Sequence, residues 1–225
     1  MGHCVMTSTP HRSPFRARLH GLAAALACAA FALSACSPES DDLAQRASND
    51  GTNYVAGDGS VQEYAPGSRG EPVDFSSELF DGTDISGETF QDQVTVLNFW
   101  YAACAPCRKE APDLQEIYEE FAPAGVEFYG VNTRDTQATA EAFERNFGIT
   151  YPSMEDRTGE VLMSMTDYVH PSAVPTTLVL DTDGRVAAQI VGIVEPGTLR
   201  TLISTALEEG DAAETEAAGP QGVHG

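Results

Sequence analysis

Basic residues are scarce in this chain. Twelve Lys and Arg stand against 34 Asp and Glu in 225 residues, a formal charge of −22. A surface of that sign excludes nucleic acid and bare anionic lipid as partners. Long apolar runs are missing too. The run Gly21 to Leu33 is too short for a spanning helix, which needs about 20 apolar residues. Cysteine is sparse, with five residues, and so is histidine, also with five. Neither supports a scaffold of several disulfides or a dedicated metal centre.

The N-terminus reads as a leader. Arg12, Arg16 and Arg18 form a basic patch without acids, and Gly21 to Leu33 is an apolar h-region, so residues 1–35 are expected to be an export signal. Leu33-Ser34-Ala35-Cys36 resembles the lipobox of bacterial lipoproteins. That resemblance implies a diacylglycerol on Cys36, cleavage just before it, and anchoring at the extracytoplasmic face of the bacterial cell membrane. An ordinary signal peptide with a chance cysteine is the alternative. Removal of the leader takes three arginines and no acid, so −22 deepens by three to about −25. Cys4 and Cys28 leave with it, and Cys36 carries lipid. Cys104 and Cys107 then have only each other. An exported chain with no other disulfide does not use cysteine as scaffold.

Residues 36–70 are rich in Ser, Asp, Gly and Asn and read as a flexible tether. Val61 and Tyr64 offer a short hairpin with Tyr54 and Val55 around Gly57-Asp58-Gly59. Residues 210–225 are acidic and Ala/Gly-rich and read as a disordered tail. Residues 71–209, roughly 140, suit one domain with one core. Val73 to Ile85 reads as a strand or hairpin around Asp81-Gly82. Val94 to Trp100 is a strand buried on both faces. Leu114, Ile117, Tyr118 and Phe121 recur at helical spacing. Val126 to Val131 is the next strand, which makes a parallel crossover. A helix over Thr136 to Phe147 follows, closed by Gly148. Tyr151 to Ser172 is irregular, with a short helix near Glu160 to Met165. Thr177 to Asp181 and Val186 to Val191 flank the hairpin signal Asp183-Gly184. A final helix starts at Pro196 and ends at Gly210.

The chemistry concentrates in Cys104-Ala105-Pro106-Cys107, where the buried strand gives way to the helix. Two thiols at this spacing open and close a disulfide with little backbone movement. At a helix N-terminus the unpaired N–H groups and the dipole favour the Cys104 thiolate, the attacking species. Cys104 is therefore expected to be the accessible nucleophile and Cys107, one turn further in, the less exposed resolving thiol. Pro106 fixes φ in the first turn. Pro112 is expected to kink the helix. Cys107, Glu110, Leu114, Ile117 and Phe121 share one helix face. A carboxylate on that face is desolvated, its pKa rises, and it can exchange a proton with Cys107. A stripe-edge Glu facing solvent is the competing reading.

Phe99 to Pro112, with Trp100 ahead of the cysteine pair and Val174-Pro175-Thr176 later, resembles the thioredoxin superfamily and, more closely, its exported TlpA/ResA-like branch. The resemblance covers about residues 71–209. It implies an α/β, thioredoxin-like three-layer fold: a central mixed β-sheet with flanking helices and an N-terminal β extension. It implies a cis peptide bond at Pro175, whose preceding residue Val174 offers backbone hydrogen bonds to a substrate strand. Trp100, Pro106, Val174 and Pro175 would then form the substrate-binding surface, and Glu110 the proton carrier. The buried Asp usual in thioredoxin falls at Asn98, which cannot titrate. Tyr101 and Ala103 depart from the usual Ala and Trp, which alters the rim of the site and not the fold.

The implied activity is thiol–disulfide oxidoreduction without a cofactor or metal. The implied substrate is a disulfide-bearing exported protein such as apocytochrome c, and the electron donor a membrane thiol transporter of the CcdA/DsbD type. The same residues would serve an oxidant of folding proteins, so the direction of electron flow stays open. A copper-binding chaperone needs a wider cysteine spacing and a nearby histidine; only His170 and His224 survive processing. A peroxidase needs a Thr just ahead of its nucleophile, and Ala102-Ala103 offer no hydroxyl. A protease or acyl-transferase needs a Cys–His pair, for which His170 is the one candidate near the site.

Overall fold

A computed structural model describes residues 61–218. The leader, Cys36, the hairpin residues Tyr54 to Gly59 and His224 lie outside the described residues. In chain order the strands are β1 (Val61–Glu63), β2 (Ser76–Glu78), β3 (Asp84–Ser86), β4 (Thr95–Trp100), β5 (Glu127–Asn132), β6 (Ser153–Glu155), β7 (Thr176–Leu180) and β8 (Val186–Val191). The helices are α1 (Ala105–Phe121), α2 (Gln137–Phe147), α3 (Glu160–Ser164) and α4 (Pro196–Ala218). A six-stranded mixed sheet runs β1-β8-β7-β4-β5-β6, and β2 and β3 form a separate hairpin.

The central strand β4 is buried at every position, as its nearly continuous apolar run leads one to expect, with Thr95 and Asn98 as its two polar members. It pairs parallel with β5 and antiparallel with β7. Its side chains alternate between two cores. Leu97 and Phe99 join Phe75, Phe90, Val161 and Met165 on one face. Val96 joins Leu114, Ile117, Leu199 and Ile203 of α1 and α4 on the other. Trp100 stacks on Phe143 of α2, with ring centroids 4.4 Å apart. Gly130 on β5 has no room for a side chain, since a Cβ there would collide with Ser153 Oγ and Trp100 Nε1. Gly148 closes α2 at φ 70°. The α1 helix runs unbroken through Pro112.

Three boundaries differ from the sequence reading. The fold starts before residue 71: Val61–Glu63 pairs antiparallel with β8, so residues 61–70 are not tether. Arg69 holds this segment down. Its guanidinium is 6% exposed and meets Asp181 at 2.8 Å and Glu209 at 2.5 Å, while its Nε donates to Tyr64 O. At the other end α4 continues past Gly210 to Ala218. Gly210 is no cap; a Cβ there would press on Thr182, so the glycine permits a close approach of α4 to the β7–β8 turn. The Ala- and Glu-rich stretch beyond it propagates the helix well. Finally, β6 forms an edge inside the stretch read as irregular. It has only three residues, too few for a period-two signal.

Arg69→Ala leaves Asp181 and Glu209 without their cation. Because Arg69 is buried, we expect a loss of about 3 kcal/mol in urea unfolding. A loss under about 1 kcal/mol would place the network among ordinary surface ion pairs.

Candidate active site

Chain direction places the cysteines. β4 ends at Trp100, the backbone turns through Tyr101 to Ala103, and Cys104 becomes the N-cap of α1. The Cys104 Sγ accepts the Cys107 N–H at 3.1 Å, which satisfies one of the free donors of the first turn. Pro106 sits in that turn and leaves no donor unpaired. Cys104 and Cys107 are joined by a disulfide. Both are 2% exposed, so in the oxidised form the expected difference in accessibility is absent. The Val174 side of the site covers Cys104, whose Sγ lies 3.8 Å from Val174 O.

The Val174–Pro175 bond is cis. Pro175 O accepts the Gly192 N–H at 2.9 Å, which ties the start of β7 to the loop after β8. Val174 and Tyr101 pack half-buried against the cluster of Trp100, Cys104, Cys107 and Phe143. Thus Trp100, Pro106, Val174 and Pro175 all border the cysteine loop. His170 does not join it as a ligand or base: its Nδ1 meets the backbone N–H and hydroxyl of Ser172 at 3.2 and 2.8 Å in its own exposed loop.

Glu110 is buried, 1% exposed, and does not face solvent. Its Oε1 accepts from Asn98 Nδ2 at 3.0 Å and its Oε2 from the Val194 N–H at 3.0 Å. The same Asn98 amide donates to Thr177 Oγ1. Burial pushes the Glu110 pKa up to about 7, against the opposing pull of the two hydrogen bonds, with Asp113 adding a smaller upward push. A small cavity with room for about one water lies between Cys107, Asn98 and Tyr151. Tyr151 is held neutral there, its pKa raised by burial and by the Glu110 and Glu144 charges.

Several residues at this site carried no sequence signal. Val194 contributes through its backbone, which any residue could supply. Tyr151 read as loop. Asp135 accepts the Ala102 N–H at 2.5 Å and the Asn132 amide at 3.0 Å, and so clamps the loop ahead of Cys104. Its Asn132-Thr133-Arg134-Asp135 turn, with Asn132 Oδ1 accepting the Asp135 N–H, has the Asx pattern that could have marked it.

The raised pKa sets a pH dependence of stability. Between the ordinary Glu value of about 4.3 and 7 the folded chain holds a proton on Glu110 that the unfolded chain has lost, so stability falls as pH rises through that window. The loss approaches about 3 kcal/mol above pH 7. Gln imitates the protonated form. We expect urea unfolding of the oxidised chain from pH 5 to 8 to show a shallower decline for Glu110→Gln than for wild type. Parallel curves would mean that Glu110 titrates normally.

With this geometry in hand, relatives can be compared. The AhpC/TSA family profile matches residues 70–189, more than half of the chain. The thiol-disulfide oxidoreductase ResA of Geobacillus kaustophilus is 34% identical over 115 residues, 49% of this chain and 64% of that protein. The match thus spans slightly less than two thirds of that relative's length. A secreted thiol-disulfide isomerase from Corynebacterium glutamicum superposes with a TM-score of 0.63 at 32% identity, covering 69% of this chain and 96% of that one. A DsbF homologue from Corynebacterium diphtheriae superposes with a TM-score of 0.58 at 32% identity, covering 68% and 98%. By sequence and by fold, the chain belongs to the AhpC/TSA family, on a thioredoxin-like architecture.

Proposed function

We propose that this protein is a thiol–disulfide oxidoreductase. The observation that carries the reading is the Cys104–Cys107 disulfide at the N-terminus of α1, beside the cis Val174–Pro175 bond. In the reduced protein, the Cys104 thiolate attacks one sulfur of a substrate disulfide. A mixed disulfide forms, and the second substrate sulfur leaves as a thiolate and takes a proton. The Cys107 thiolate then attacks Cys104 Sγ. The first substrate sulfur departs, the substrate gains two electrons, and Cys104–Cys107 is oxidised. Cys107 must lose its proton in a dry environment, and the Glu110 carboxylate, poised near 7, is the acceptor. The Val174 backbone and Pro175 align an extended substrate segment along the start of β7.

The finer reading is a lipid-anchored reductant. Residues 1–35 direct export, and Cys36 carries the diacylglycerol. The catalytic domain works on the extracytoplasmic face of the membrane. The relatives' names support that compartment: the Corynebacterium glutamicum protein is described as secreted. Among the described residues no helix is long and apolar enough to cross a membrane. The substrate class is an exported protein whose disulfide must be opened, apocytochrome c in the ResA-like reading. The recharging dithiol belongs to a membrane transporter of the CcdA/DsbD type.

The reduction potential decides direction. We expect a value near thioredoxin's roughly −270 mV, measured against glutathione or a reference thioredoxin; a value near −120 mV would make the protein an oxidant. Cys107→Ser should accumulate mixed disulfides visible by mass spectrometry, and Cys104→Ser should abolish exchange. Normal turnover by Cys107→Ser would refute the assigned roles. Glu110→Gln should alter the pH profile of exchange near pH 7, and an unchanged profile would leave Glu110 a structural residue.

A further inference from the structure

Eight Lys and Arg residues lie among the described residues. Four pair with carboxylates: Arg69 with Asp181 and Glu209, Arg145 with Glu141, Arg157 with Glu155, and Arg200 with Glu116 and Glu120. Arg185 donates instead to Gly70 O. The remaining three, Arg108, Lys109 and Arg134, belong to the start of α1 and the loop packed beside it. Among the described residues none of the three has an ion-pair partner.

Aromatic rings hold the two arginines in place. The Arg134 guanidinium lies 4.1 Å from the Tyr101 ring centroid. The Arg108 guanidinium lies 5.0 Å from the Phe147 centroid, and its Nη1 donates to Ala102 O at 3.3 Å. A guanidinium stacked on a ring keeps its N–H edge free, and that edge matches a carboxylate in a two-pronged contact. Two acids near the site are already engaged. Asp135 accepts the Ala102 N–H and the Asn132 amide. Glu195, after β8, accepts the N–H groups of Gly197 and Thr198 at the start of α4. Tyr101 and Cys104 are directly linked, since Tyr101 O accepts the Cys104 N–H at 3.1 Å. The two arginines therefore border the disulfide.

We propose that Arg108 and Arg134 form a cationic rim that selects disulfide substrates with a carboxylate beside the disulfide, and that Tyr101 positions Arg134 for this contact. This rests on the oxidoreductase reading of the same site. The acidic body opposes such substrates only weakly, because at physiological salt charges more than about 8 Å away are screened. At contact the rim decides. Basic peptides are drawn to the acidic body without being oriented at Cys104. Tyr101 stands where the resembled branch usually has Ala, so the ring beneath Arg134 is a departure from that pattern.

The test uses the reduced protein and three peptides with one cystine loop flanked by Asp, Ser or Lys. At low salt we expect the Asp peptide to be reduced about tenfold faster than the Lys peptide. In 1 M salt, where screening acts within about 3 Å, the ratio should approach one. Arg108→Gln with Arg134→Gln should collapse the low-salt ratio. Tyr101→Ala should lower it in part, and Arg134→Lys, which keeps the charge but loses the two-pronged edge, should also lower it in part and less than Arg134→Gln. The ratio is unaffected by any change in Cys104 acidity, which alters all three rates alike. Equal rates for Asp and Lys peptides, a faster Lys peptide, or an unchanged ratio in the double variant would overturn the rim. Neutral 2-hydroxyethyl disulfide separates the two proposals. No exchange with it overturns the oxidoreductase reading; exchange with it and a flat peptide ratio overturns the rim alone.

Discussion

Everything at this site depends on one junction, the cap that Cys104 places on α1. β4 is held on both sides by β5 and β7 and cannot shift. α1 is held against the sheet by Leu114 and Ile117, which are almost wholly buried. Between these two fixed elements only a few residues of turn remain, so the N-terminus of α1 has one position. The sulfur that caps it is also the one we propose as the nucleophile. Helix N–H groups that stabilise a cap also stabilise a thiolate, so the local structure and the chemistry draw on the same dipoles.

Glu110 shows the opposite balance. It links α1, β4 and the loop after β8 through Asn98 and Val194. A neutral apolar residue would fill this space at lower cost in stability, because burying a carboxylate with only two donors leaves it under-solvated. The fold accepts this cost one helical turn from Cys107. Asn98 matters for that reason. Its amide offers a donor to Glu110 without adding a second titrating acid, so the proton has a single site.

The parts of the fold legible in sequence are those with strong local signals. β4 announced itself through a continuous apolar run, α1 and α2 through their stripes, and the β7–β8 turn through Asp183-Gly184. β1 and β6 are three-residue edges, formed because a ladder was available and not because their sequence prefers it. The end of α4 was misread because a glycine serving close packing has the same letter as a glycine serving a cap. At the site, the burial of Glu110 followed from helical register. Its partners did not, since Val194 donates through its backbone and Asn98 through a contact made only once β4 and α1 pack. The Arg134–Tyr101 stack was invisible for a related reason: it joins two loops whose proximity is decided by the β4–β5 pairing.

The distribution of charge then separates two problems that one site must solve. In the proposed exchange, reactivity rests on the helix N-terminus and on the buried Glu110, both indifferent to what the partner carries. Selection is decided at the rim, by side chains that touch neither sulfur. A guanidinium restrained by a ring loses less freedom on meeting a carboxylate than a free lysine would, so a rim built on Tyr101 and Phe147 discriminates at small entropic cost. Because Tyr101 and Arg134 lie on loops while the thiols are tied to a helix anchored to the core, that side of the rim can change without disturbing the redox pair. Of the two departures from the resembled pattern, Tyr101 and Ala103, it is Tyr101 that lies against the Arg134 guanidinium, where such a change would act.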